Sequence, residues 1–279
     1  MLILLKSTMT SSELFKHYLN SLYINGARYF IAAGLAFLVF YVLKKNRFSF
    51  RKIQPAEAKK SQIVTEILYS ITTILIFSSV GLGIYLASKA GHTLLYKDIS
   101  KYGYPYILIS FFLTVIIHDT YFYWMHRAIH HKSIYKLIHK VHHLSKNPTP
   151  WAAYSFHPIE GFAEAGIFPL LVFVLPLHPF VLFAFMILQI SFNVAGHLGY
   201  EIYPKRFMQT GWSKIFNSST HHNMHHSKFK GNYGLYFSWW DRWMGTEFKE
   251  YQQTFNKVVG HVPEQEAEPS YSKIKQSVA

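Results

Sequence analysis

Four long stretches of the sequence carry almost no charge, and they restrict the folds that the chain can adopt. They cover residues 29–43, 67–87, 104–125 and 162–195. A stretch of about 20 apolar residues is long enough to cross the hydrocarbon core of a membrane as an α-helix. A helix also satisfies its backbone hydrogen bonds internally, which lipid requires. The stretches therefore predict transmembrane helices; the first is a little short for a span, but its flanking basic residues can extend to the membrane surface.

The fourth stretch is long enough for two helices, and prolines divide it. Pro176 and Pro179 lie near its middle, and a proline ends a helix because it lacks an N–H and clashes with the preceding turn. We expect a hairpin with one helix to about Leu175 and another from about Phe180 to Val194. The sequence thus predicts an all-α integral membrane bundle with four to five spans and a cytoplasmic histidine-rich cap.

The charges give this bundle an orientation. The net charge is +14, and the basic residues cluster at the ends of the apolar stretches, so we expect no nucleic-acid partner. The basic loop after the first stretch is placed in the cytoplasm by the positive-inside rule. Residues 126–161 and those from 197 onward then share that side. A bacterial inner membrane is favoured, or the endoplasmic reticulum if the chain is eukaryotic.

Three regions follow from these patterns. We expect an N-terminal transmembrane region over residues 1–103, a catalytic domain over 104–250 and a polar tail over 251–279. The catalytic domain is predicted because most of the 17 histidines fall within it. The chain has no cysteine, which excludes disulfides and cysteine-based zinc sites.

The histidines form three clusters. These are His126 and His130; His139, His142 and His143; and His221, His222, His225 and His226. Positions i, i+3 and i+4 share one face of a helix, so each cluster is predicted to present two or three imidazoles in one direction. Neutral imidazole binds iron, zinc, copper and nickel. Eight imidazoles exceed the needs of one tetrahedral zinc and suit two adjacent metal ions.

Several single residues near the clusters have an open role. His197 is a possible ninth ligand. His118 and His157 are possible ligands or partners of ligands, and we name both, with Glu160, as candidate catalytic residues. The carboxylates that could accept a second ring N–H are Asp119, Glu160, Glu164, Glu201 and Asp241. Each could instead be an ordinary interfacial or helix-capping carboxylate, and Asp241 could pair with Arg127 or Arg242. His178 is expected in a turn, and His17, His92 and His261 in solvent.

Two kinds of chemistry fit such a site. A zinc site would hydrolyse its substrate with activated water, but the sequence lacks the H-E-x-x-H motif that often supplies the base. Two irons would bind oxygen and break an unactivated C–H bond, with the protein supplying ligands and a dry channel. The aromatic residues of "FFLTVIIHDTYFYWMHR" could hold a lipid beside the ligands, or could form an interfacial belt. A non-catalytic lipid- or sterol-binding protein is a third hypothesis, although a binder has no need of the clusters.

The cluster motifs resemble a known family. "HDTYFYWMHRAIHH", "LIHKVHH" and "HHNMHH" followed by "NYGLYFSWWDRWMGT" resemble the fatty acid hydroxylase superfamily, which includes the sterol desaturases, over about residues 107–248. "NPTPWAAYSFHPIEGF" and "FPLLVFVLPLHPF" are most similar to the sterol C-5 desaturase (lathosterol oxidase) branch.

This resemblance implies a site and a reaction. It implies a di-iron centre, molecular oxygen and a separate electron donor, either a b-type cytochrome or a ferredoxin-like protein with its reductase. The ligands it implies are His126, His130, His139, His142, His143, His222, His225 and His226, with His197 where the family places a further histidine. The fatty acid 2-hydroxylase branch tends to carry another histidine at the position of Asn193. This difference argues against a fatty acid 2-hydroxylase. Substrate identity, hydroxylation versus desaturation, and oligomeric state stay open.

Overall fold

The computed structural model describes residues 10–260, and this part of the chain contains only helices, turns and two isolated β-bridges. Its longer helices are α1 (Ser11–Phe37), α2 (Lys60–Lys89), α3 (Gly103–Ile129), α4 (Pro158–Ala165), α5 (Ile167–Val174), α6 (Pro179–Gly196), α7 (Ser219–Lys228) and α8 (Tyr251–Gly260). Shorter helical turns are Leu38–Leu43, Lys45–Phe48, Ser49–Arg51, Ile99–Lys101, Tyr135–Ile138, His142–Leu144, Pro150–Tyr154, Phe207–Gln209, Gly211–Lys214 and Trp239–Trp243. The predicted all-α class is confirmed.

Four helical segments are long and apolar enough to cross a membrane. They are Ser11–Leu43, Lys60–Lys89, Gly103–Ile129 and Pro179–Gly196. The first begins well before the predicted stretch at residue 29. Thr10 caps it, and the side chains and backbones of Thr10 and Glu13 bond reciprocally, which satisfies amide groups that have no partner within the helix.

The predicted hairpin is present, but its first arm is broken. Helices α4 and α5 have eight residues each and meet at Gly166. The arm ends beside the connection between α2 and α3, where the Leu94 amide donates to the Val172 carbonyl at 2.8 Å. His178 occupies the turn as predicted, and its Nδ1 accepts from the Phe180 amide at the start of α6.

Packing in the bundle joins the histidine-bearing segments at one end. Trp151, in the histidine-rich cap, accepts hydrogen bonds on its carbonyl from Tyr29 of α1 and Ser70 of α2, at 2.8 and 3.0 Å. Helices α3 and α6 pack through Phe122 and Phe185. Because both helices end at the cap, their last residues meet the remaining clusters there.

Helix α8 lies where the sequence predicted a polar tail. Its buried residues are Tyr251, Phe255, Val258 and Val259, and they pack in a cluster with Phe207 and Met224. Their spacing is that of an amphipathic helix, so this part of the predicted polar tail is a packed helix. The rest of the predicted tail, including His261, lies outside the described residues.

Replacing Phe255 by alanine should therefore destabilise the cap. Phe255 is completely buried, and removing a buried phenyl ring typically costs about 3–5 kcal/mol. Thermal unfolding of the detergent-purified protein would measure this as a lower midpoint than the wild type. Gln252→Ala, on the exposed face of the same helix, should leave the midpoint nearly unchanged. An equal effect of both substitutions would contradict the packing role of Phe255.

Candidate metal centre

Nine histidines form two adjacent groups in the cap. One group contains His126, His130, His139, His143 and His225, and the other contains His142, His197, His222 and His226. The ring nitrogens of each group lie within 4.8 Å of one another. All nine side chains are buried except His130, which is half-buried. These are the nine residues that the sequence predicted as ligands, and the structure brings them together.

Three helices and the short turns after α3 carry these side chains. His126 lies in the last turn of α3 and His130 follows as its C-cap, while His197 is the C-cap of α6. Helix α7 carries three of the nine, and its N-cap Ser218 accepts a hydrogen bond from the His221 amide at 3.2 Å. His139, His142 and His143 lie in the short turns after α3.

Two of the sequence clusters contribute to both groups, which corrects the expectation that each cluster points in one direction. His142 and His143 are neighbours yet belong to different groups, because successive residues of a helical turn point about 100° apart. On α7, His222 and His226 share one group and His225 joins the other. Each of the two groups therefore contains histidines from both the second and the third cluster.

Backbone carbonyls fix the tautomer of four rings. The Nδ1 atoms of His126, His225, His142 and His197 lie 2.8, 2.8, 3.2 and 2.7 Å from the carbonyl oxygens of Tyr233, Gly231, Ser155 and Asn193. A carbonyl oxygen only accepts hydrogen bonds, so each Nδ1 carries the proton. Each Nε2 is then left with a free lone pair.

These lone pairs face one another. His142 Nε2 and His197 Nε2 are 3.2 Å apart, and neither has a proton to donate. Two acceptors at this distance repel each other unless a cation lies between them. Nitrogens bound to one ion at about 2.1 Å are about 3.0–3.4 Å apart for bond angles between 90° and tetrahedral. The geometry and the donor type both fit a metal ion.

The protonation state of the groups also suits a metal. Burial, assisted by neighbouring imidazoles, lowers the pKa of the rings outside the membrane spans, to about 3 for His143 and with the direction also downward for His139, His142, His222, His225 and His226. Burial likewise lowers the pKa of His197 to about 4. The rings are therefore neutral near pH 7, the form that ligates metals.

Glu160 is the one predicted carboxylate that hydrogen-bonds a histidine of either group. Its Oε1 lies 2.6 Å from His139 Nδ1, in the first turn of α4. The neutral His139 ring donates this proton and turns its Nε2 toward His126 Nε2, 3.1 Å away. Glu160 thus fixes the orientation of the His139 ring through its Nδ1.

The other candidate residues have different neighbours. His118 Nδ1 lies 2.9 Å from the Tyr236 hydroxyl, and His157 caps α4 by accepting from the Ile159 amide. Both lie outside the two groups. The Asp119 carboxylate accepts from the amides of Tyr236 and Phe237 and from the Trp239 indole, and Glu201 accepts from Thr220. Their contacts hold loops in place.

Asp241 holds the loop that orients two of the rings. Its carboxylate accepts from the Tyr233 and Gly234 amides at 2.9 and 2.8 Å, while Arg242 bonds Glu247 instead. The same loop supplies the carbonyls that bond His126 and His225. These carbonyls could not be predicted from the sequence, since every residue has one and no motif marks them.

A small void of about 10 Å³ lies where the groups meet. Five histidines of the two groups line it, together with Phe122, Phe156, Glu160, Glu164 and Asn193. The Glu164 side chain makes no hydrogen bond to any residue in the range 10–260, and burial raises its pKa to about 8. It therefore holds a proton at neutral pH beside the two groups.

Comparisons with known proteins relate the chain to one family. The fatty acid hydroxylase family model matches residues 111–246. The chain is 39% identical over 190 residues to the Delta(7)-sterol 5(6)-desaturase ERG3B of Gibberella zeae, covering 67% of this chain and 56% of the relative. It is 34% identical over 192 residues to the lathosterol oxidase of Rattus norvegicus, covering 68% of this chain and 62% of the relative.

The lathosterol oxidase of Homo sapiens is matched over a longer segment. It is 30% identical over 246 residues, covering 87% of this chain and 79% of the relative. For the Gibberella and rat proteins the chain spans less than two thirds of the relative's length. No solved structure matches the chain.

Proposed function

The chain belongs to the fatty acid hydroxylase family, and we propose that it is a membrane-bound oxygenase that holds two iron ions on histidines and oxidises a sterol or a related lipid. The observation that carries this proposal is the pair of facing lone pairs on His142 and His197, in a chain whose relatives include sterol desaturases and lathosterol oxidases.

The two histidine groups would each hold one ion. His126, His130, His139, His143 and His225 would ligate the first, and His142, His197, His222 and His226 the second. Bound iron would supply the activation of molecular oxygen that breaking an unactivated C–H bond requires. Imidazole suits both iron and zinc, so the metal identity rests on the family and on the test below.

The surrounding residues would prepare the void for this reaction. Phe122 and Phe156 exclude water from it, and Glu160 keeps His139 in position. Either hydroxylation or desaturation consumes one O2, two electrons and two protons per lipid, and the neutral Glu164 carboxyl can hold one of those protons at the void. The electrons come from a separate donor, a b-type cytochrome or a ferredoxin-like protein.

The structure supports placing the centre on the cytoplasmic side. The basic loop between α1 and α2 packs on the cap: the Ile53 amide donates to the Gly199 carbonyl at 3.0 Å, and the Glu201 amide donates to the Arg51 carbonyl at 2.9 Å. The loop and the histidine groups therefore lie at the same end of the bundle. Since basic loops stay in the cytoplasm, the centre would face it too.

Comparing the lipids of expressing cells tests the reaction. Cells that contain Δ7-sterols, iron and an electron donor should form a sterol lacking two hydrogens when they express the wild type, and none when they express His142→Ala. Mass spectrometry of total lipids measures both. A lipid gaining one oxygen would instead make the protein a hydroxylase. Zinc as the purified metal, with no oxygen-dependent product, would replace the proposal with a hydrolase.

Removing the Glu160 carboxylate should weaken metal binding. Losing the outer partner of a ligating histidine typically lowers metal affinity about 10–100-fold, so we expect Glu160→Ala to fall in that range. Titration of the metal-stripped protein with Fe(II) under anaerobic conditions measures this. Glu164→Ala is the matched control: it removes a buried carboxylate one turn later that bonds no histidine, and it should leave the affinity unchanged. Equal losses in both would contradict the orienting role of Glu160.

A further inference from the structure

Two apolar cavities lie along the outer side of the last turns of α6. The inner cavity, of about 230 Å³, lies between the end of α6 and the start of α7. The outer cavity, of about 460 Å³, lies against the segment that links those helices. Phe192 and Tyr203 line both cavities, so the two adjoin at these side chains, and together they are called the groove. Its mouth carries Trp212, which is 62% exposed.

The groove ends beside the metal centre. Asn193 and His222 line the inner cavity, and both also line the central void between the histidine groups. A molecule in the groove would therefore approach the void at these two residues. Within residues 10–260, His222 is the one proposed ligand that lines the groove.

Asn193 offers an unused polar group at this junction. The residue is only 2% exposed, and its side-chain amide makes no hydrogen bond within the range 10–260. Leaving a buried amide without a partner is unfavourable, so a ligand group that can both donate and accept would be favoured here.

The serines that line the inner cavity already have partners. The hydroxyls of Ser191 and Ser219 donate to the Ile187 and Ala195 carbonyls, both at 2.7 Å. Ser218 accepts from the His221 amide. Asn217 Oδ1, elsewhere in the inner cavity, also lacks a partner. Of the two residues that line both the inner cavity and the void, Asn193 is the one that offers an unpaired amide to a ligand.

We infer that this groove admits the substrate sideways from the bilayer, and that the Asn193 amide binds the hydroxyl group of a sterol whose apolar body fills the groove. The inference rests on the proposed function and narrows its substrate class. A hydroxyl both donates and accepts, as the amide requires. An unbranched acyl chain presents only methylene groups to the inner end, and it would leave the amide unpaired.

Binding measurements test the hydroxyl contact. A tritiated Δ7-sterol and its 3-O-methyl ether, which lacks the donor, are titrated into the purified protein in lipid nanodiscs. We expect the wild type to bind the sterol about tenfold more tightly than the ether. In Asn193→Leu the preference should disappear. A wild type without preference, or an Asn193→Leu variant that keeps it, would overturn the contact.

Filling the groove tests the route. Ala195 lines the inner cavity, and Ala195→Phe should weaken binding of both sterols at least about tenfold, with the iron content unchanged. The matched control is Ile187→Phe, on the lipid-exposed surface of the same helix, which should bind as the wild type does. Undiminished binding to Ala195→Phe, at wild-type iron content, would overturn the route. If that variant loses iron or its thermal stability, Phe192→Trp, at the junction of the two cavities, serves instead with the same expected result.

These outcomes are distinct from a failure of the proposed function. If the wild type converts the sterol and the groove variants match it, the groove assignment is wrong while the oxygenase stands. If the wild type shows no saturable sterol binding, the sterol assignment fails along with the groove. Oxidation of another lipid, in an assay without sterol, would then identify the substrate.

Discussion

A chain with His142 replaced by alanine should lose the ion of the four-histidine group and nearly all turnover. Its Nε2 faces that of His197 at 3.2 Å, and the Ser155 carbonyl holds the ring in this orientation through Nδ1. Alanine provides neither nitrogen. Loss of an outer partner alone costs about 10–100-fold in affinity, and loss of a ligand should exceed that. Bound iron should fall from two ions per chain to about one, measured by elemental analysis beside the lipid assay.

His178→Ala supplies the control for this variant. His178 caps α6 at the opposite end from the histidine groups and bonds the Lys97 carbonyl, so its loss should leave iron content and product formation near the wild-type values. His118→Ala tests whether His118 has the predicted catalytic role or a structural one. His118 bonds Tyr236 and lies outside both histidine groups. Two ions and full turnover in His142→Ala would remove His142 from the ligand set.

The sequence predicted which histidines come together but not how they are grouped. Spacing of three and four residues marks side chains that share a helix face, and all nine predicted histidines lie in the two groups. The second cluster, however, lies on short turns rather than on one helix. Assigning His142 to one group and His143 to the other requires the tertiary path of the chain, which spacing does not encode.

The supporting contacts were harder to predict for a different reason. Asp119 and Asp241 are close in sequence to histidine clusters, yet they bond backbone amides of residues 233–237. A carboxylate can accept from an imidazole or from a backbone amide, and sequence proximity does not choose between them. The carbonyls of Gly231 and Tyr233, which orient two rings, carry no sequence mark at all.

The N-terminal region takes a larger part in the cap than its predicted role as a membrane region suggested. The buried Glu66 of α2 accepts hydrogen bonds from Thr149 and Gln62, and Gln62 donates to the Asn147 carbonyl. These contacts fix the segment that follows His142 and His143. The contacts with Thr149 and Asn147 join residues more than 80 positions apart, so neither periodicity nor a local motif could reveal them.

Replacing Asp241 by alanine should release the loop behind the five-histidine group. The substitution leaves the amides of Tyr233 and Gly234 and the Thr246 hydroxyl without their acceptor, at a cost of at least about 3 kcal/mol in unfolding free energy. The carbonyls of the same loop hold His126 and His225. We therefore expect a lower unfolding midpoint and loss of the ion in that group, measured by thermal unfolding and iron analysis.

Glu247→Ala separates this effect from the loss of any nearby carboxylate. Glu247 forms a partly exposed ion pair with Arg242, and such pairs contribute about 0–1 kcal/mol, so iron content should stay near two ions per chain. Asp241→Asn keeps one oxygen acceptor and should fall between the wild type and the alanine variant. If Asp241→Ala instead keeps both ions while losing stability, the loop supports the fold alone. If it loses both ions together, the two groups bind their metals cooperatively, because His142 and His143 share one short turn.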